Sequence, residues 1–170
     1  MIDLAYVRIM ARYNRWQNQS IYGAADTLSE ADRREHRGAF FRSIQGTLNH
    51  LLWGDKMWLS RFAGTPRPRR TSGKESVEEC ETWAELKTAR AAFDETIITW
   101  AEGLDPAWLS GDLVWLSGLT GKEMKERKDL LVAHFFNHQT HHRGQVHCLL
   151  TQFGAKPDDT DIFLMPKSQL

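Results

Sequence analysis

Five of the seven histidines in this 170-residue chain fall within fourteen positions, in "HFFNHQTHHRGQVH" (residues 134–147). His134, His138 and His142 recur every four residues, and on a helix each such step turns the face by only about 40°. His138 and His142 therefore stand one turn apart on one face, where two imidazoles can hold a single metal ion. Gln145 falls within about 20° of His138 and lines the same face, whereas His141 is displaced by about 60°. Leu131, Phe135, Val146, Leu149 and Phe153 bracket the pair, which places it in the middle of a buried apolar stripe. A lone histidine there is most often a satisfied core residue. Two in mid-stripe each need a buried polar partner, and one metal ion answers both needs. This is not the helical zinc-protease motif, because Gln139 stands where that motif places its glutamate.

A third ligand has to come from another segment. His36 falls in a polar link, and His50 lies in "GTLNHLLWGDKMW" (residues 46–58), flanked one turn away on each side by Gly46 and Gly54. Each glycine costs a helix interior about 1 kcal/mol relative to alanine. The pair answers equally to close helix packing or to room for a ligand over a metal. His50, His138 and His142 make a three-imidazole set with a coordination position to spare, the pattern of catalytic sites. Such donors suit Zn, Ni, Fe or Cu as a divalent transition metal, with zinc or nickel the expected occupant. A bound cation deprotonates water or a thiol, and His134 or His141, flanking that face, could move the proton. For His134 a buried supporting role weighs more than the proton shuttle. Gln145 is expected to bond a ligand or the substrate. Arg143 is expected to pair with Asp55, Cys148 to be buried, and Phe136 and His147 to face outward.

The elements that must position these residues follow from proline placement and hydrophobic period. Pro66, Pro68, Pro106, Pro157 and Pro166 leave three long segments free for helix. Helices are expected near 3–27, from an N-cap at Ser43 to Gly64, near 76–102 and near 123–153, with a short capped turn at Ser29 to Asp32. "TPRPRRTSGK" is a solvated loop. A short extended piece is expected at Leu113 to Leu116, and the tail cluster Ile162 to Met165 is expected to tuck under the helices. Four long helices and little strand predict one all-α domain, a four-helix bundle, over residues 1–170.

Composition bounds the function. Lys plus Arg and Asp plus Glu both count 22, so no excess of positive charge meets phosphate and a nucleic-acid partner is not expected. No stretch approaches the roughly 20 apolar residues of a membrane span, and the start of the chain lacks the character of a signal peptide. Two cysteines make no disulfide framework. A soluble cytoplasmic protein without a membrane partner is expected.

Three blocks, "YNRWQNQSIY" (13–22), "GTLNHLLWGDKMW" and "FNHQTHHRGQVH" (136–147), with "PDDTDI" in the tail, resemble the DinB family of damage-inducible bacterial metalloproteins. The likeness extends over nearly the whole chain, and "NHQTHHRGQ" is its most specific part. It implies an up-down-down-up four-helix bundle, a homodimer, and a divalent metal on the positions that match the family's ligands, His50, His138 and His142. The wider superfamily includes transferases that use bacillithiol or mycothiol, and a thiol-dependent isomerase. A small-molecule substrate, with a thiol as one participant, is therefore expected for a hydrolase or thiol transferase. The alternative is a non-catalytic metal or small-molecule binding protein of the stress response.

Overall fold

A computed structural model describes residues 2–118 and 120–169. Four long helices carry the structure: α1 (Leu4–Asp26), α3 (Ile44–Ala63), α4 (Trp83–Glu102) and α6 (Lys128–Gln152). Short helices α2 (Glu30–Arg34) and α5 (Pro106–Leu109) and a hairpin of β1 (Asp112–Leu116) and β2 (Glu123–Arg127) lie between them. No helix among the described residues is long and apolar enough to cross a membrane.

Local chemistry sets the helix ends. Asp3, Ser43 and Thr82 accept backbone N–H groups at the starts of α1, α3 and α4, replacing partners that a first turn lacks. Gly64 closes α3 at φ 67, the left-handed geometry that glycine adopts without cost. The third helix begins at Trp83 rather than near 76, because Thr82 caps it and Glu75–Glu78 form a separate 3-10 turn. The last helix begins at Lys128 rather than near 123. Glu123 to Arg127 are good helix formers, but antiparallel pairing with Leu116 to Asp112 overrides that preference. The extended piece on the first strand appears as expected. Of the tail cluster Ile162 to Met165 only Met165 is buried, and Phe163 stands 80% exposed.

Two apolar clusters form the core. One gathers Ile21, Ile44, Leu48, Leu52, Leu86 and Leu150, and the other Val7, Leu59, Phe62, Ile97, Val132 and Phe135. On each long helix a buried polar stretch separates the residues of one cluster from those of the other: Asn14 and Asn18, Asp55, Arg90 and Asp94, Gln139 and Arg143. Arg90 donates to Asp55 at 2.7 Å and pairs with Asp94 at 2.9 Å. Asn14 and Asn18 donate to Asp94, Gln139 donates to Asp55 at 3.0 Å, and Arg143 donates to the Asn14 side-chain oxygen. The expected Arg143–Asp55 pair is thus replaced: Arg90 reaches Asp55 from α4, and Arg143 turns to α1. Phe136 is also a correction, since it is buried edge-on against Tyr6 rather than facing outward. His147 is half-buried, and Cys148 is exposed.

Removing one partner strands the others without water, so Arg90→Ala should destabilise the fold by about 3–5 kcal/mol. Arg15→Ala, which breaks a more exposed pair with Glu95, should cost less than about 1 kcal/mol. Urea unfolding followed by circular dichroism measures both, and equal losses would contradict the role given to the buried network.

Candidate metal centre

The polar layer sets the register of α3 against α6. Asp55 and Gln139 are bonded across the two helices, and their neighbours in sequence are Gly54 and His138. A Cβ on Gly54 would stand 2.8 Å from Cε1 of His138, closer than two such atoms can approach. Gly54 is thus a gap filled by the His138 ring itself. Gly46 admits backbone instead, for a Cβ there would lie 2.5 Å from the Phe41 carbonyl oxygen. Close packing explains both glycines.

His50, His138 and His142 converge, each offering one ring nitrogen, with these atoms all within 4.8 Å of one another. His50 and His142 are buried, and His138 is half-buried. Hydrogen bonds assign the protons on two of the rings. The Ser76 hydroxyl donates to the Gly73 carbonyl at 2.5 Å, so at 2.8 Å it accepts from His50 Nδ1–H. Gln145 Oε1 can only accept, and it lies 2.8 Å from Nδ1 of His142. Both rings therefore present a bare Nε2 lone pair, the form that binds a metal.

His138 completes the test of fit. Its Nε2 lies 3.2 Å from the bare Nε2 of His50, while its Nδ1 is buried without a partner. No placement of one proton on His138 satisfies both of its nitrogens. A cation shared among the three lone pairs resolves the crowding of two acceptors and matches the donor set of a divalent transition metal. Burial pushes the pKa of His50 down to about 3, and burial with the neighbouring histidines does the same to His138. Burial also lowers His142, against the bond to Gln145. All three are neutral near pH 7, as ligation requires.

Other groups frame the trio. Phe41 stacks on His50 with ring centres 3.6 Å apart and meets His142 edge-on at 5.3 Å. It is held there by a tight turn from Ala39 to Arg42, closed by the Arg42 N–H on the Ala39 carbonyl, with Arg42 at φ 70. A non-glycine residue in the left-handed region is strained, and the strain sits where an aromatic ring is laid on a histidine. Trp53 flanks His50 at 5.7 Å. His134 is 5.9 Å from His138 and edge-on to Trp58 at 5.3 Å, with its pKa lowered by burial. His141 is exposed, and its Nε2 accepts from the Gln145 amide at 3.1 Å.

The structure thus brings together every residue singled out by spacing. His134 adjoins His138, His141 adjoins His142, and Gln145 bridges His141 and His142. Ser76 and Phe41 were not visible beforehand, since each sits in irregular chain where no period ties it to His50. The one available signal for Ser76 was a serine beside a polar loop, at the expected start of the third helix.

Two consequences can be measured. Gly54→Ala displaces the His138 ring and should weaken zinc binding about 10- to 100-fold, the usual cost of disturbing a ligand's support. Competition with a chromophoric chelator reads it, and unchanged affinity would refute the packing argument. The second concerns acid. The unfolded chain protonates His50 and His138 near pH 6.5 while the folded metal-free protein resists down to about pH 3. Stability of the metal-free protein should fall with pH across that interval, by at most about 1.4 kcal/mol per pH unit for each histidine. Urea midpoints at several pH values should show a shallower decline in His138→Gln.

The chain is similar to known proteins over nearly its whole length. Residues 1–169 match the sequence profile of the DinB family. A similar relative is the Bacillus subtilis (strain 168) protein named Protein DinB, 24% identical over 166 residues, which span 96% of this chain and 95% of that protein.

Proposed function

The chain belongs to the DinB family, and from that premise and the convergent histidines we propose a metal-dependent enzyme that activates water or a low-molecular-weight thiol, a hydrolase or a thiol transferase. The observation that carries the proposal is the proton placement: His50 and His142 aim bare lone pairs at the same space as His138. A divalent cation, zinc or nickel, supplies Lewis acidity that lets water or a thiol lose its proton near neutral pH.

The remaining work belongs to the chain. Ser76 and Gln145 keep the ring protons of His50 and His142 on Nδ1 and hold both planes in place. Phe41 covers one face of His50 and keeps water from it. His134, its ring packed edge-on against Trp58, is the proton acceptor on that side. His141, on the solvent side and oriented by the Gln145 amide N–H on its Nε2, exchanges protons with bulk water.

The architecture in this reading is a four-helix bundle running up-down-down-up. The order of the apolar clusters supports it: α1 and α6 run from the Val7–Phe135 cluster toward the Ile21–Leu150 cluster, and α3 and α4 run the other way. The reading includes a cytoplasmic homodimer, for which exposed Val114, Leu116, Met124 and Leu130 offer apolar surface.

Metal analysis of untagged protein tests the site first. Wild type should carry one equivalent, and His50→Ala and His138→Ala should carry far less; substoichiometric metal unchanged in both variants would sink the site. Loaded protein is then assayed with thiols and electrophilic acceptors and with simple esters and amides. His134→Gln should keep its metal and lose about 100-fold or more in turnover. Hydrolysis without thiol transfer rejects the thiol arm, and full metal without turnover leaves a binding protein.

A further inference from the structure

Arg61 lies on α3 within about 20° of His50 by helical count, three turns further along the same side. A row of rings connects it to the histidines. His138 and His134 are 5.9 Å apart, His134 and Trp58 5.3 Å apart, and the Arg61 guanidinium carbon sits 4.6 Å from the Trp58 ring centre. Trp115 on β1 approaches the guanidinium at 5.8 Å and meets Trp58 edge-on. The row is open along its length: His134 is exposed, while His138, Trp58, Trp115 and Arg61 are half-buried.

Arg61 is held by rings alone. Among the described residues it makes no ion pair and no hydrogen bond, whereas Arg12, Arg15, Arg90 and Arg143 all have oxygen partners. Burial and the positive charge of nearby Arg67 both work against its charge. Packing beside two indoles stabilises that charge only in part, and no carboxylate among the described residues neutralises it. With indole rings beside it and no oxygen partner, the guanidinium keeps its N–H groups for a planar, two-oxygen acceptor.

We propose that Arg61 is the recognition site for a carboxylate on the substrate, whose apolar body lies on Trp58 and Trp115 and whose reactive end reaches the histidine trio past His134. A carboxylate fits better than a phosphate because it is flat, so it can extend the guanidinium plane along the indole surface. The assignment deepens the enzymatic reading and rests on the same site, but the subsite lies apart from the metal ligands and binds without them.

The test uses two probes of one shape, 4-phenylbutyrate and 4-phenylbutyramide, titrated calorimetrically into metal-stripped and zinc-loaded protein. In the stripped wild type the carboxylate should bind about tenfold or more tightly than the amide, as a charge-assisted bond predicts. Arg61→Gln should bring the two probes to parity. Arg61→Lys, which keeps stem and charge but loses the fork, should fall between and stands in if the glutamine variant fails to fold. Four results overturn the proposal: a preference that survives Arg61→Gln, one seen only with zinc present, a phenylalkyl phosphate bound more tightly than the carboxylate, or neither probe binding. Metal content, measured on the same samples, reports on the trio separately, so failure of the metal reading is distinguishable from failure of this one.

Discussion

Two arginines and two aspartates are buried in the middle of this protein, and the remaining architecture is arranged to make that tolerable. Each charge finds partners there: Arg90 holds Asp55 and Asp94, while Asn14, Asn18, Gln139 and Arg143 fill out the set. Apolar side chains tolerate small slips of one helix past another, but a buried carboxylate does not, because a shifted partner leaves a charge without water. The layer therefore acts as a registry device between two greasy halves. It places Gly54 opposite His138, and the geometry of the histidines follows from that one alignment.

Seen from the site, the same alignment creates a frustrated arrangement. His50 and His142 hold their protons on Nδ1 toward Ser76 and Gln145, and wherever His138 keeps its own, one of its two nitrogens lacks a partner. Three neutral rings crowded in this way are poorly satisfied without a positive charge between them. Membership in the DinB family agrees with the residues, but the argument for a cation stands on the hydrogen bonds.

Much of the site was legible in the sequence because it obeys a helical period. His134, His138 and His142 announce a common face, and Gln145 and His141 fall on its edges by the same count. Helix ends at Ser43 and Gly64 were legible for the same reason, being set by local chemistry. What escaped was set by contacts between distant segments. Nothing local in "KEMKER" shows that it pairs with Asp112 to Leu116 instead of extending the last helix. Nothing near Asp55 shows that its arginine comes from α4 rather than α6. The glycines around His50 were legible as an anomaly, but their purpose waited on knowing what stood across from them.

Ser76 lies outside the long helices, on the link between α3 and α4. That link is fastened to α3 by Glu79, which accepts from Lys56 and from the backbone of Arg69 and Arg70, and by the Cys80 N–H on Asn49. The group that decides how strongly His50 donates electrons is therefore carried by a short 3-10 turn of that link, fastened to α3 on both sides. A carboxylate at that position would make the imidazole a stronger base, and an apolar residue a weaker one. Descendants of this sequence could retune the acidity of the centre by one substitution in the link between two helices, with the buried charges and every ligand left as they are.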